Sequence, residues 1–187
     1  IVFIGQFLNW WLESLKFRVL ISKTESINKW DAIKSVYAGN SIGVLTPNKV
    51  GTVIGRALWL KDKDTVSVVS STMLGNAAQL ITTALFGFIG FLIVVSFGSQ
   101  LNFINHGFPI YALFISLLLV LLLGILFFYP SFLYKLALKL PFISRFAQRI
   151  SYFEYFRKKE LLTVLTFSVL RYIVFAFQFI LLLKLLH

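Results

Sequence analysis

The sequence contains no cysteine, which excludes disulfides and thiolate metal sites. Acidic residues are scarce, with 7 Asp and Glu against 18 Lys and Arg, for a net charge of +11. Charged residues of both signs make up only 13% of the chain, well below the roughly 25% of soluble domains. The two histidines, His106 and His187, are far apart, and no HExxH, CxxC or acidic cluster occurs, so a metal site has no support. A Gly-x-Ser-x-Gly elbow is also missing. Gly51 and Gly55 do not form a phosphate loop, because the Gly-Lys-Ser/Thr ending is absent. These absences predict no cofactor and no enzyme activity of the chain's own; only a separate cytosolic transferase domain elsewhere in a longer protein would add one. The first residue is Ile1 and the only methionine is Met73, so the chain is expected to begin and end inside such a longer protein.

What is present in abundance is apolar sequence, at 58% of residues. A spanning helix needs roughly 20 mostly apolar residues. Val66–Phe97, Phe108–Tyr129 and Leu161–Leu186 meet that requirement. Ile1–Ile21 is interrupted by Asn9, Glu13, Lys16 and Arg18, and reads as the last part of a spanning helix rather than a signal peptide. Nine basic residues lie between Lys16 and Thr65, seven between Tyr129 and Glu160, and none between Gly98 and Gly107. Positive loops stay cytoplasmic, so the four helices are predicted to run inward, outward, inward and outward. Because the charges sit between apolar runs, the basic balance points to anionic lipid rather than nucleic acid.

Two segments are less regular. After Pro141, Ile143, Phe146, Ile150 and Phe153 share one helical face, while Arg145, Gln148 and Arg149 lie mostly on another. The stretch 141–156 thus reads as an amphipathic helix in the headgroup plane, with a solvated connector as the alternative. Ile33–Leu60 is apolar but broken by Gly39, Gly43, Pro47, Gly51 and Gly55. It reads as two short helices meeting near Thr46-Pro47-Asn48, with Pro47 opening the second and Thr46 capping it. Such a pair either re-enters the membrane over 33–60 or packs as a cytoplasmic hairpin beneath the bundle. In the re-entrant reading the second N-terminus, with Asn48, Lys49 and Arg56 nearby, attracts an anionic group.

Polar residues also occur within the predicted spans. Thr72, Asn76, Gln79 and Thr83 recur at helical spacing, Ser71 and Gly75 form a small-residue pair, and Gly87 and Gly90 add points of close approach. Interhelical hydrogen bonding is the favoured explanation for the stripe, ahead of a substrate-lining role. Arg171 lies about 15 Å along its helix from Leu161, near mid-membrane. A charge there costs at least ~2.5 kcal/mol on insertion scales, so it must meet a partner. Two partners stay open: Glu13, the only acid in an apolar segment, or a lipid phosphate, which guanidinium matches in geometry. Gln178 follows two turns later on the same face, and Lys184 is close enough to its helix end to snorkel.

The residues Gly39 to Gly51, followed by Gly55-Arg56-Ala57-Leu58, resemble the signature of the lysylphosphatidylglycerol synthase transmembrane region, a flippase-like family. Trp11–Lys16, Leu74–Leu80, Leu170-Arg171-Tyr172 and Gln178 are similar to further parts of it. Members often carry Glu where this chain has Thr52, and the family's later half has no counterpart here. The resemblance implies an all-α, multi-pass protein of the bacterial cytoplasmic membrane that binds or translocates anionic or aminoacylated phospholipid. Homo-oligomers are compatible with it. The lipid-contacting residues it suggests are Asn40, Pro47, Asn48, Lys49, Arg56, Asn76, Gln79, Arg171 and Gln178. Competing readings are the membrane half of an aminoacyl-lipid synthase, a small-solute transporter and a structural subunit.

Overall fold

The computed structural model describes residues 2–47, 51–60, 62–98, 108–129 and 156–186. Among them there are six helices and no strand: α1 (Val2–Ile21), α2 (Lys29–Val44), α3 (Gly51–Trp59), α4 (Thr65–Gly98), α5 (Phe108–Phe128) and α6 (Lys158–Leu186). Three stretches are long and apolar enough to cross a membrane: Thr65–Phe97, Tyr111–Phe128 and Lys158–Leu185. Their outward side chains are large and apolar, including Phe114, Leu118 and Leu122 on α5 and Phe175 and Phe179 on α6. The predicted interfacial helix over 141–156 lies outside the described residues, apart from the buried Phe156.

Local chemistry sets where these helices start. Asp64 precedes α4 and accepts from the Ser67 amide at 2.9 Å and its hydroxyl at 2.8 Å, an N-cap. The hydrogen bond from the Ser67 hydroxyl, with those from the backbone, holds its carboxyl below the ordinary aspartate range. Helix α6 begins at Lys158, earlier than the expected Leu161, because the Glu160 carboxylate reaches back to the Arg157 amide at 3.0 Å. That is one half of a capping box, which extends the helix into the basic segment.

Two apolar clusters hold the helices together. Leu20, Leu74, Ala78, Phe127, Leu161 and Val164 join α1, α4, α5 and α6. Phe17, Ile21, Ala32, Val36 and Val68 join α1, α2 and α4. Helices α1 and α6 are antiparallel, since Val2 meets Gln178, Asn9 meets Arg171 and Lys23 pairs with Glu160.

Helices α2 and α3 form a tight hairpin. A Cβ on Gly39 would lie 2.7 Å from the Thr52 carbonyl oxygen, and one on Gly55 2.6 Å from that of Ala38. Small residues four apart on both helices let the backbones touch. Thr46 accepts from the Gly51 amide at 2.7 Å, so it does satisfy an orphan donor of α3. The described part of the second helix opens at Gly51, and residues 48–50, between it and Pro47, lie outside the described residues. The glycines of α4 differ from expectation. Among the described residues, nothing comes within 4 Å of a Cβ built on Gly87 or Gly90, so neither is a point of close approach there. Among the described residues, the two threonines of the predicted polar stripe are likewise not interhelical glue. Thr72 donates to the Val68 carbonyl at 2.8 Å and Thr83 to that of Gln79 at 2.9 Å, within their own helix.

Candidate functional site

Asn9, Glu13 and Lys16 lie at i, i+4 and i+7 of α1 and so share one face. That face turns inward and is buried, with Glu13 only 4% exposed. Three cations converge on its carboxylate. The Lys16 ammonium lies 2.8 Å from Oε2, the Arg56 guanidinium 2.8 Å from Oε1, and the Arg171 guanidinium also bonds Oε2. Each comes from a different direction: Lys16 from one turn along α1, Arg56 from α3, Arg171 from the middle of α6.

Further contacts lock the cations. Lys16 donates to the Gly75 carbonyl of α4 at 3.1 Å. Arg56 stacks on the Phe17 ring, with its guanidinium carbon 4.8 Å from the centroid, and its Nε is buried without a partner among the described residues. Arg171 donates to Asn9 Oδ1 at 2.7 Å and, more weakly, to Gln79 Oε1 at 3.4 Å. The carboxylate thus ties α1, α3 and α6 together, Lys16 and Arg171 add α4, and among the described residues the cluster carries more positive than negative charge.

The excess has an outlet. A cavity of about 240 Å³ opens beside Arg171, lined by Gln6, Asn9, Trp10, Asn40, Gly43, Val44, Thr52 and Phe175 as well as Arg171 itself. Its wall is amphipathic, with amides and a guanidinium on one part and Trp10, Val44 and Phe175 on another. Arg171 is the most accessible member of the cluster, with its side chain 21% exposed against 1% for Lys16 and 4% for Arg56. No group of His, Cys, Asp and Glu able to hold a metal occurs among the described residues.

A helical membrane bundle with a glycine-packed hairpin and a buried Arg–Glu–Arg–Lys cluster is the setting for comparison with known proteins. All of residues 1–187 match the family described as the lysylphosphatidylglycerol synthase TM region. The chain belongs to that family. Membership makes it a membrane protein linked to lipid modification. No curated protein and no solved structure gives a significant match.

The residues singled out from the sequence are distributed unevenly in space. Arg56, Gln79 and Arg171 meet in the cluster, and Asn40 lines the cavity. Asn76 is exposed on α4 and Pro47 is exposed in the hairpin turn, so neither joins them. Asn48 and Lys49 lie outside the described residues. Gln178 is buried on the α1–α6 seam, donating to the Val2 carbonyl at 2.7 Å, and does not line the Arg171 cavity. Asn9, Lys16 and Thr52 belong to the site but were not singled out for it. Lys16 looks like a cytoplasmic-loop charge in the sequence, yet it is buried, as Arg56 is, because Glu13 neutralises part of the charge of both. The seven-residue spacing of Asn9, Glu13 and Lys16 was the available signal.

Proposed function

We propose that the cavity beside Arg171 receives the phosphate of an anionic or aminoacylated phospholipid, and that the protein carries such lipids across a bacterial cytoplasmic membrane. The observation that supports this reading is the cation excess around Glu13, exposed to the cavity through Arg171. A guanidinium offers paired donors that match phosphate oxygens, and bonds of that kind are the stronger class. Asn9 and Asn40 add amide groups at the same wall, and Trp10, Val44 and Phe175 supply an apolar flank for the glycerol end of a lipid.

The test compares transbilayer movement of fluorescent phosphatidylglycerol in proteoliposomes containing the full-length parent protein, its Arg171→Ala variant and its Arg171→Lys variant. Glu13 keeps Lys16 and Arg56 when Arg171 is removed, so the fold should survive. Loss of one charge-assisted contact, worth roughly 1.5–3 kcal/mol, should slow movement about tenfold or more. Lysine keeps the charge but loses the planar fork, and should restore the rate only in part. Unchanged movement in Arg171→Ala would return the residue to the structural role that its pairing with Glu13 also supports.

The α2–α3 hairpin is proposed to dip into the bilayer. Its turn exposes Val44 and Leu45, at 86% and 84%, while Trp30 and Trp59 stand at the opposite end. Exposed Val44 and Leu45 near the turn, with tryptophans at the base, fit insertion from an aqueous interface. A nitroxide on Leu45→Cys should collide more with oxygen than with a water-soluble nickel chelate. The reverse preference would leave the hairpin in water.

A further inference from the structure

Among the described residues, Glu13 is the one acid beside the Arg171 cavity, and it is not on the cavity wall. It is buried, its Oε1 accepts from Arg56, and its Oε2 bonds both Lys16 and Arg171. The other described acids stand at helix starts and in turns. Glu25, Asp62 and Asp64 lie between helices, and Asp31 and Glu160 lie in the first turns of α2 and α6. Glu160 is eleven residues, about 16 Å, from Arg171 along α6, and it pairs with Lys23. The wall itself is neutral except for Arg171. Gln6, Asn9 and Asn40 contribute amides and Thr52 a hydroxyl.

An ammonium group entering this cavity meets a guanidinium and no carboxylate. Like charges repel more strongly in such a partly dry site than in water. A hydroxyl in the same place meets side chains of the type that both donate and accept. We infer that the cavity sorts phospholipids by headgroup charge. It takes a phosphate whose substituent is an uncharged alcohol, as in phosphatidylglycerol. It rejects the aminoacyl ester, whose ammonium finds no acid. Selection of this kind is a difference of affinities set by an unpaired charge rather than by a steric clash. The inference rests on the reading of the cavity as a phosphate site, and narrows that site to the unmodified anionic lipid.

The test uses the full-length parent protein in zwitterionic nanodiscs with a photoactivatable phosphatidylglycerol, and cross-linked peptides are mapped by mass spectrometry. Labelling is expected on 6–10, 40–44 and 171–175. Two unlabelled competitors isolate the charge: the alanyl ester of phosphatidylglycerol, and its lactyl ester, in which a hydroxyl replaces the ammonium at nearly equal size. The lactyl ester should displace the probe about tenfold better, the effect of one unpaired like charge near Arg171. Asn40→Asp puts a carboxylate on the wall with little change of shape and should bring that ratio close to parity. Should that variant misfold, Gln6→Glu, at an exposed position on the same wall, should do the same. Equal competition by the two esters, or a ratio that survives a folded carboxylate variant, would overturn the inference. So would inorganic phosphate that displaces the probe as well as phosphatidylglycerol does, since it would assign the cavity to a free anion. Labelling that is absent from these peptides, or indifferent to Arg171→Ala, would remove the phosphate-site reading and the inference with it. Labelling that depends on Arg171 but yields equally to both esters would sink the charge selection alone.

Discussion

Glu13→Ala is expected to destabilise the protein by about 3–5 kcal/mol, the range for removing one partner from a buried ion network. The substitution leaves Lys16, Arg56 and Arg171 within one apolar interior with no carboxylate between them. Their mutual repulsion is poorly screened there, and each loses hydrogen bonds that the amides of Asn9 and Gln79 do not replace. A thermal melt in detergent, followed by tryptophan fluorescence, should show a large drop in midpoint and a poor yield of monodisperse protein. Pairing Glu13→Ala with Arg171→Leu should recover part of the loss, because one of the orphaned cations is then gone. The non-additive part of that double-mutant cycle measures the coupling directly. A Glu13→Ala protein that melts with the wild type would mean that water or bound anions already neutralise the cations, and that Glu13 does not organise the cluster.

The second large effect is expected at the hairpin crossing. Gly55→Leu places its first carbon 2.6 Å from the Ala38 carbonyl oxygen and 2.7 Å from the Gly39 Cα, both backbone atoms that no rotamer change can move. Helices α2 and α3 must separate, at a cost of about 1–3 kcal/mol or more. The separation carries a functional consequence, because α3 is the element that delivers Arg56 to Glu13. Gly55→Leu should therefore lower both the melting midpoint and phosphatidylglycerol movement. Gly87→Leu is the matched control. It adds the same side chain to a helix at a position with open space around it, and should be near neutral. Equal effects at the two sites would attribute the loss to the added side chain rather than to the crossing.

The legibility of the fold follows from what each feature depends on. The helices of α4, α5 and α6 are visible because a bilayer core demands long apolar runs, and 66–97, 108–129 and 161–186 supply them without help from neighbours. The break between α2 and α3 was equally visible, since Gly39, Gly43, Pro47, Gly51 and Gly55 in an apolar stretch leave few other options. The use made of Thr46 was also readable: its hydroxyl accepts from the Gly51 amide of α3.

The site was only partly legible. Arg171 drew attention because a charge in the middle of a spanning helix must find a partner, and Glu13 was the one acid at hand. Arg56 was singled out as a cation near the helix break, but its pairing with Glu13 was not, and Lys16 looks like an ordinary loop charge, because sequence spacing does not tell a cation at a membrane edge from one packed against a carboxylate. Asn76 and Gln79 are three residues apart on α4, yet the packing of α1 and α6 takes Gln79 toward Arg171 and leaves Asn76 exposed. Arg171 and Gln178 share a helical face, yet Arg171 lines the cavity while the Gln178 amide closes onto the Val2 carbonyl at the α1–α6 seam, where Gly5 leaves room for it. Apolar length and glycine spacing are properties of the chain itself, so the sequence alone determined an all-helical membrane protein with a broken helix pair. Which charges meet, and which hollow each polar group faces, depend on the rotation of each helix about its axis. Only side-chain packing between helices sets that rotation, so the tertiary structure decided which of the candidate charges gather on Glu13 and where the Arg171 cavity opens.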